Sequence, residues 1–292
     1  MANTKIQWAT KVWNPVTGCD KISEGCLNCY SEPFAKRLQK NPKRNIAYKY
    51  RNAFKPTCHP ESLFEPYLWK KPQRVFVCSM GDLFHDDIPF DFIRKVMDNI
   101  YHNRAHTFMI LTKRPQRMKQ FFDWLNNPNL AINFSNLWLG VTAENQQRAD
   151  ERITILLQIP AAIRFVSIEP MLGAIDIEKY LDEGGDICPR EIIDWVICGG
   201  ETGHNARPIH PDWVRSIREQ CKDAKVRFFF KQWGDWDGIK MYKVGKKPAG
   251  NLLDGIEYSQ LPNIKYCHYN QSCLHQTKDM KCTLAVGCNF QD

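Results

Sequence analysis

Residues 74–113 read RVFVCSMGDLFHDDIPFDFIRKVMDNIYHNRAHTFMILTK, one complete strand–helix–strand repeat. Arg74–Cys78 is a short run rich in Val and Phe, Phe90–His102 is a helix-length amphipathic stretch, and His106–Leu111 is again short and apolar. That order is the unit of a parallel sheet. Working outward, further strands are predicted at Leu137–Val141, Arg164–Ile168, Asp194–Cys198 and Val226–Phe230, with helices at Arg114–Asn126, Gln146–Gln158 and Pro211–Ala224. With a first strand at Lys5–Trp8, the units predict an α/β fold, a full or partial (β/α) barrel. Asp182–Pro189 (DEGGDICP) reads as a loop, and there is no strict internal repeat.

A chain of 292 residues can bury one large core, so a single main domain is expected over residues 1–262, followed by a Cys-rich tail at 263–292. The opening MANTKIQWAT has no apolar signal region, and nowhere do about 18 apolar residues run on without a break. A cytoplasmic protein that neither is secreted nor spans a membrane is expected. Twelve cysteines in such a chain suggest metal or catalysis rather than a disulfide framework. They fall into an early group (Cys19, Cys26, Cys29), a late group (Cys267, Cys273, Cys282, Cys288) and a scattered remainder.

The formal net charge of +8 favours a polyanionic partner, because phosphate contacts by Lys and Arg release condensed counterions. Between Lys36 and Lys55, eight basic residues meet no acidic one, and Tyr48, Tyr50 and Phe54 are interleaved. Cations for a backbone and rings for bases suit a nucleic-acid strand. A solvated loop of accidental basic bias is the alternative.

Parallel α/β folds carry their chemistry at the carboxyl ends of strands. Here those ends read Ser79-Met80-Gly81-Asp82, Thr112-Lys113-Arg114, Thr142-Ala143-Glu144-Asn145, Glu169-Pro170, Gly199-Gly200-Glu201 and Lys231-Gln232-Trp233. Acidic residues there could simply complement a helix N-terminus, but Lys113 and Lys231 have the wrong sign for that role. Ligand contact explains them better.

The early thiols stand in NPVTGCDKISEGCLNCYSEPFAKRL with the spacing C-x6-C-x2-C, on a segment that opens a helix. Three thiolates on one loop can hold three irons of a 4Fe-4S cluster and leave the fourth open to a small molecule. The competing reading is a closed zinc site completed by Cys58 or His59.

The same loop resembles the cluster loop of radical S-adenosylmethionine (SAM) enzymes, with a first gap of six where that superfamily usually has three. VFVCSMGDLFHDDIP and MILTKRP resemble the second and third strands of its spore photoproduct lyase branch. More closely, WNPVTGC, GCLNCY, SMGDLFHDDIP, LTKRPQRM, LWLGVTAEN, RFVSIEPMLG, VICGGETG, ARPIHPDWVRSIREQC and FFFKQWGDW are similar to a phage and mobile-element family with a three-cysteine motif and no assigned reaction. The likeness runs over residues 3–262.

The resemblance implies a barrel of radical SAM type in which Cys19, Cys26 and Cys29 ligate iron and SAM is cleaved to a 5'-deoxyadenosyl radical. It places Tyr30 beside the adenine. It puts Ser79, Gly81 and Asp82 where the superfamily contacts the methionyl amine, although the usual Gly-Gly-Glu motif is absent there. It pairs Lys113 with the methionyl carboxylate, and Thr142 or Glu144 with the ribose hydroxyls. Glu169, Glu201, His204, Arg207, His210 and Lys231 would then face substrate. Cys198, like Cys78, could donate a hydrogen atom, though a small thiol in a strand is more often simple core. The branch implies a nucleic-acid substrate and a reductase or flavodoxin-type electron donor, in the host cytoplasm if phage-encoded. A SAM-dependent group transferase on the same barrel, or a non-catalytic zinc protein that binds nucleic acid, is the alternative.

The tail, CHYNQSCLHQTKDMKCTLAVGC, sets Cys267, Cys273, Cys282 and Cys288 close enough to form a zinc site or a second iron–sulfur cluster.

Overall fold

The apolar runs of the sequence pair with one another because strands buried on both faces are most economically satisfied by parallel neighbours with helices packed outside. In the computed structural model, which describes residues 4–125, 135–181, 192–238 and 241–262, the strands are β1 (Lys11–Trp13), β2 (Val16–Thr17), β3 (Thr57–Cys58), β4 (Arg74–Val77), β5 (Thr107–Thr112), β6 (Leu137–Thr142), β7 (Ile163–Ile168), β8 (Trp195–Gly199), β9 (Arg227–Gln232), β10 (Leu252–Leu253) and β11 (Ile256–Glu257). The helices are α1 (Ser31–Gln39), α2 (Arg44–Lys49), α3 (Phe90–His102), α4 (Pro115–Trp124), α5 (Gln146–Leu156), α6 (Pro211–Asp223) and α7 (Lys246–Ala249).

Seven strands form one sheet in the order β1-β4-β5-β6-β7-β8-β9, every neighbour parallel. The order follows the sequence, so each crossover steps to the same side and the sheet curls into a half-barrel. Edge strands β1 and β9 do not pair, so among the described residues the barrel is partial and not the full barrel that the sequence allows. The outer edge of β9 is covered instead: Ser259 bridges Phe229 in antiparallel sense, and Phe230 N donates to Tyr258 O at 2.8 Å.

Strand alternation sorts the side chains into two layers. Val75, Val77, Phe108, Ile110, Leu139, Val141, Val166 and Val196 face out and join the apolar stripes of α3 (Ile93, Val96, Met97, Ile100), α5 (Ile153, Leu156) and α6 (Val214, Ile217) in the main core. Phe76, Met109, Trp138, Phe165, Trp195 and Phe229 face the concave side. Helix starts are locally encoded: the Asn145 side chain accepts from Arg148 N at 3.0 Å to cap α5, and Pro211 opens α6 behind His210, whose Nδ1 accepts from Asp212 N at 3.2 Å.

The first strand is Lys11–Trp13 and not Lys5–Trp8. Trp8 closes the concave side instead, its ring 4.7 Å from Phe76 and 6.1 Å from Trp195. An indole can fill the floor of a half-barrel that a strand backbone, with its unpaired amides, could not. No α-helix joins β7 to β8 among the described residues; a 3-10 turn at Glu178–Tyr180 stands there. The DEGGDICP segment and the whole cysteine-rich tail lie outside the described residues.

The basic segment is a helical hairpin, not an open loop. Tyr50 is buried with Ala35 and Met80, and Phe34, Leu38, Ile46 and Phe54 pack on them, so Tyr50 and Phe54 serve the hairpin's own core. Tyr48 alone of the three interleaved rings is exposed, with Arg51 stacked 4.1 Å from its centroid.

Candidate active site at the half-barrel mouth

The concave face changes character along the strands. Two residues beyond Leu111, Gly140 and Phe229 on the same face come Lys113, Thr142 and Lys231, while Phe165 is followed by Ser167 and then Glu169. An aromatic floor thus gives way to a polar mouth at the carboxyl ends. There Lys231 Nζ donates to Glu169 Oε1 at 2.7 Å, each side chain about one-fifth exposed (21% and 20%). Burial pulls the Lys231 ammonium towards a lower pKa, but the Glu169 carboxylate outweighs it and leaves the value above that of an ordinary lysine. Gly199 leaves room for this pair, since a Cβ there would stand 3.4 Å from Glu169 Oε1. Lys113 is half-buried, and among the described residues its ammonium has no ion-pair partner.

Residues 19–30, the segment carrying the three cysteines, lie as a strap across this mouth. The strap begins at Gly18, whose φ of +88° and whose contact with the carbonyl of Lys55, 2.2 Å from an added Cβ, admit no other residue without movement. Gly18 bridges Gly81 in parallel sense, which joins the start of the strap to the segment just beyond β4. Asn28 Nδ2 donates to Glu201 Oε2 at 2.9 Å, and Gly25 N to Glu144 Oε1 at 3.3 Å. The Ser23 hydroxyl also bonds Glu144. Arg207 Nη2 donates to Glu24 O at 3.0 Å, and Arg148 Nε to Glu24 Oε2 at 3.3 Å. At its far end the Tyr30 hydroxyl donates to Ser79 O at 2.9 Å; shelter of that hydroxyl raises its pKa although the ring as a whole is exposed.

Several residues expected to meet a ligand are spent on these anchors. Glu144 is completely buried and its other oxygen accepts from Arg152 Nη1 at 2.8 Å, so it holds the strap and does not present itself to a ribose. Asp82 accepts from the Thr112 hydroxyl at 2.8 Å and from Phe84 N at 2.9 Å, which ties the end of β4 to that of β5 in place of a methionyl amine. Gly81 is explained by its close pass over Gly18, whose carbonyl oxygen would lie 2.8 Å from an added Cβ. Glu201 is clamped by Arg207 at 2.6 and 2.9 Å. Burial would raise its pKa, yet the bonds from Arg207 and Asn28 hold it below the ordinary carboxylate value. Ser79 bonds Asn14 Oδ1 at 3.2 Å, and Thr142 is buried with its hydroxyl side on the concave face. His210 caps α6, and His204 is exposed.

Cys198 is placed differently from its expected role. It sits in the outer core, its Sγ 3.7 Å from Met171 Sδ, because β8 turns Trp195, Ile197 and Gly199 inward and so turns Cys198 out. A thiol there cannot reach a ligand in the mouth, and Cys78 is likewise part of the outer core.

Cys19, Cys26 and Cys29 are free thiols and half-buried. Cys19 Sγ accepts from Arg114 Nη1 at 3.3 Å, and Cys26 Sγ lies 3.6 Å from the Ser23 hydroxyl. Burial, reinforced by the Asp82 charge and opposed by Arg114, pushes the Cys19 thiol up to about 12. Among the described residues no three His, Cys, Asp or Glu side chains converge on one point as donors to a single ion, as a zinc site with bonds of about 2.3 Å would require. His59 is buried against Thr17 Oγ1 at 2.7 Å and Glu61 at 3.3 Å, and Cys58 packs on the core, so neither completes such a site. Three free, half-buried thiols on one strap are the donor type that a 4Fe-4S cluster takes, one on each of three irons.

Arg114, Arg152, Arg148 and Asn28 were not singled out in the sequence. Arg114 carried a signal, since it is a cation at the start of a helix, the argument that marked Lys113.

Fold and site together define an open parallel α/β half-barrel with a thiol-bearing strap over its carboxyl end. The chain belongs to a family described as protein of unknown function (DUF5131), whose profile matches residues 3–262. No curated protein matches it, and no solved structure does.

Proposed function

We propose that this chain is an enzyme of the radical SAM type that modifies or repairs a nucleic-acid base or nucleotide. The observation that carries the reading is the strap: three free thiols lie over a half-barrel mouth lined by Lys113, Glu169 and Lys231. Cys19, Cys26 and Cys29 would hold a 4Fe-4S cluster, which when bound supplies the electron that cleaves SAM to a 5'-deoxyadenosyl radical. Lys113 offers an uncommitted ammonium to the methionyl carboxylate. Glu169 and Lys231 keep opposite charges side by side, so they can orient a polar substrate or relay a proton between Oε1 and Nζ.

The nucleic-acid part is supported by charge and shape. The excess of +8 and the basic segment Lys36–Lys55 with exposed Tyr48 suit a phosphate backbone. An unclosed barrel gives the mouth one open side, across which a strand can lie while a single base is turned in. Among the described residues no helix is long and apolar enough to cross a membrane. A reductase or flavodoxin-type donor in the cytoplasm would deliver the electron.

The test is iron, sulfide and zinc content of anaerobically purified protein, with electron paramagnetic resonance of the dithionite-reduced state, for wild type and Cys19→Ala, Cys26→Ala and Cys29→Ala. A brown protein with about four irons lost in those variants, and a reduced signal that shifts on adding SAM, is the expected result. Colourless protein with zinc on those thiols would overturn it.

A further inference from the structure

Arg114 is 7% exposed and sits where a cation gains nothing from its helix, at the start of α4, since the positive end of the helix dipole is there. Its partners explain the position. Nη1 reaches Asp82 Oδ2 at 3.4 Å as well as Cys19 Sγ at 3.3 Å, and Nη2 bonds Asp20. The Asp82 support is itself braced: Asp82 accepts from Thr112, and Thr112 Oγ1 accepts from Arg114 N at 2.9 Å. The guanidinium is therefore fixed from three sides with one N–H directed at a sulfur.

We infer that Arg114 is the positioning residue for Cys19 as a cluster ligand, fixing its sulfur and setting the reduction potential of the bound cluster. The inference rests on the cluster reading above and adds to it a residue that touches neither iron nor substrate. Hydrogen bonds to ligating sulfurs tune cluster potentials, and losing an outer partner of a ligand typically costs about 10–100-fold in metal affinity. A positive donor favours the more negative, reduced state, so it raises the potential. Asp82 and Asp20 offset much of the long-range charge, which leaves the direct N–H to sulfur contact as the effective part. Lysine cannot reproduce it, because one ammonium cannot hold two carboxylates and a sulfur in the geometry of a planar fork.

The experiment compares wild type, Arg114→Gln and Arg114→Lys as reconstituted full-length protein, with circular dichroism as the check on folding. It measures iron loss to a chelator and the midpoint potential by resonance-monitored titration. Iron retention should weaken roughly 10–100-fold in Arg114→Gln. The midpoint should fall by about 59 mV for each tenfold change in the one-electron reduction equilibrium. Arg114→Lys, which keeps the charge and decides the matter if the Gln variant does not fold, should shift in the same direction by less. Unchanged retention and potential in a folded variant of a protein whose wild type holds the cluster would overturn the inference and leave the cluster reading standing. A wild type without iron overturns the cluster reading itself, and this inference with it.

Discussion

Asn28 and Glu201, 173 positions apart, are joined by an amide-to-carboxylate hydrogen bond of 2.9 Å that fastens the cysteine strap to the end of β8. Glu144 does the same at the end of β6 and Arg114 at the end of β5. The polar residues at the strand ends thus divide into those that hold the strap and those, Lys113, Glu169 and Lys231, that still face the mouth.

The Glu144–Arg152 pair is the most deeply buried of these anchors, with side chains 0% and 4% exposed. Removing one partner leaves an uncompensated interior charge, which typically costs about 3–5 kcal/mol. Arg152→Met should lower the unfolding free energy by that order in a denaturant titration and speed proteolysis within residues 19–30. Loss of less than about 1 kcal/mol would show that the pair is not what anchors the strap.

Glu201 titrates in the folded state below its ordinary value because Arg207 and Asn28 outweigh its burial. A depressed carboxylate means that the unfolded chain binds protons first as pH falls, so the stabilisation is complete above the unfolded value near 4.3 and fades as pH drops through the folded one. Thermal melts of wild type should therefore lose stability more steeply below about pH 4.5 than melts of Glu201→Gln. Parallel curves for the two proteins would show that the clamp contributes nothing.

The parallel sheet was legible because its strands are mostly apolar and their crossovers have helical period; β4 to β8 agree with their expected spans to within one residue at either end, and β9 to within two. The missed first strand has a physical reason. Lys5–Trp8 alternates like a strand, but its indole is worth more as the floor of the half-barrel, and the sequence carries no record of what lies below a sheet. At the site, the ligand types were legible from spacing and the loop's place over the mouth was not. Glu144 and Asp82 looked available because arginines 8 and 32 positions away, Arg152 and Arg114, meet them only after folding.

Trp8 is only 3% exposed and packs edge-on against Phe76 and Trp195. Trp8→Ala should destabilise by about 3–5 kcal/mol, and Trp8→Phe by less, as read by the midpoint of chemical unfolding. A neutral Trp8→Ala would mean that the floor is not closed by this ring.

The Lys113 ammonium has no partner among the described residues, so on the proposed function Lys113→Ala should leave the melting temperature within a degree or two while weakening SAM binding by roughly tenfold in calorimetry, the equivalent of about 1.4 kcal/mol. Equal affinity in Lys113→Ala would remove this residue from the ligand site.

For the basic hairpin, replacing Lys43, Arg44 and Arg51 by Ser should flatten the dependence of nucleic-acid affinity on salt. Each lost phosphate contact reduces the logarithmic slope by about 0.7 on a single strand. A slope unchanged in the triple variant would place the binding surface elsewhere.

Because Arg207 grips the backbone of Glu24 across 183 positions, the strap cannot settle until nearly the whole domain has been synthesised. Its thiols leave the ribosome before strands β4 to β8 and stay uncovered while those strands are still being made. Folding therefore has an order written into the topology: the cysteines stay accessible to solvent until the last anchors arrive, and are then half-covered.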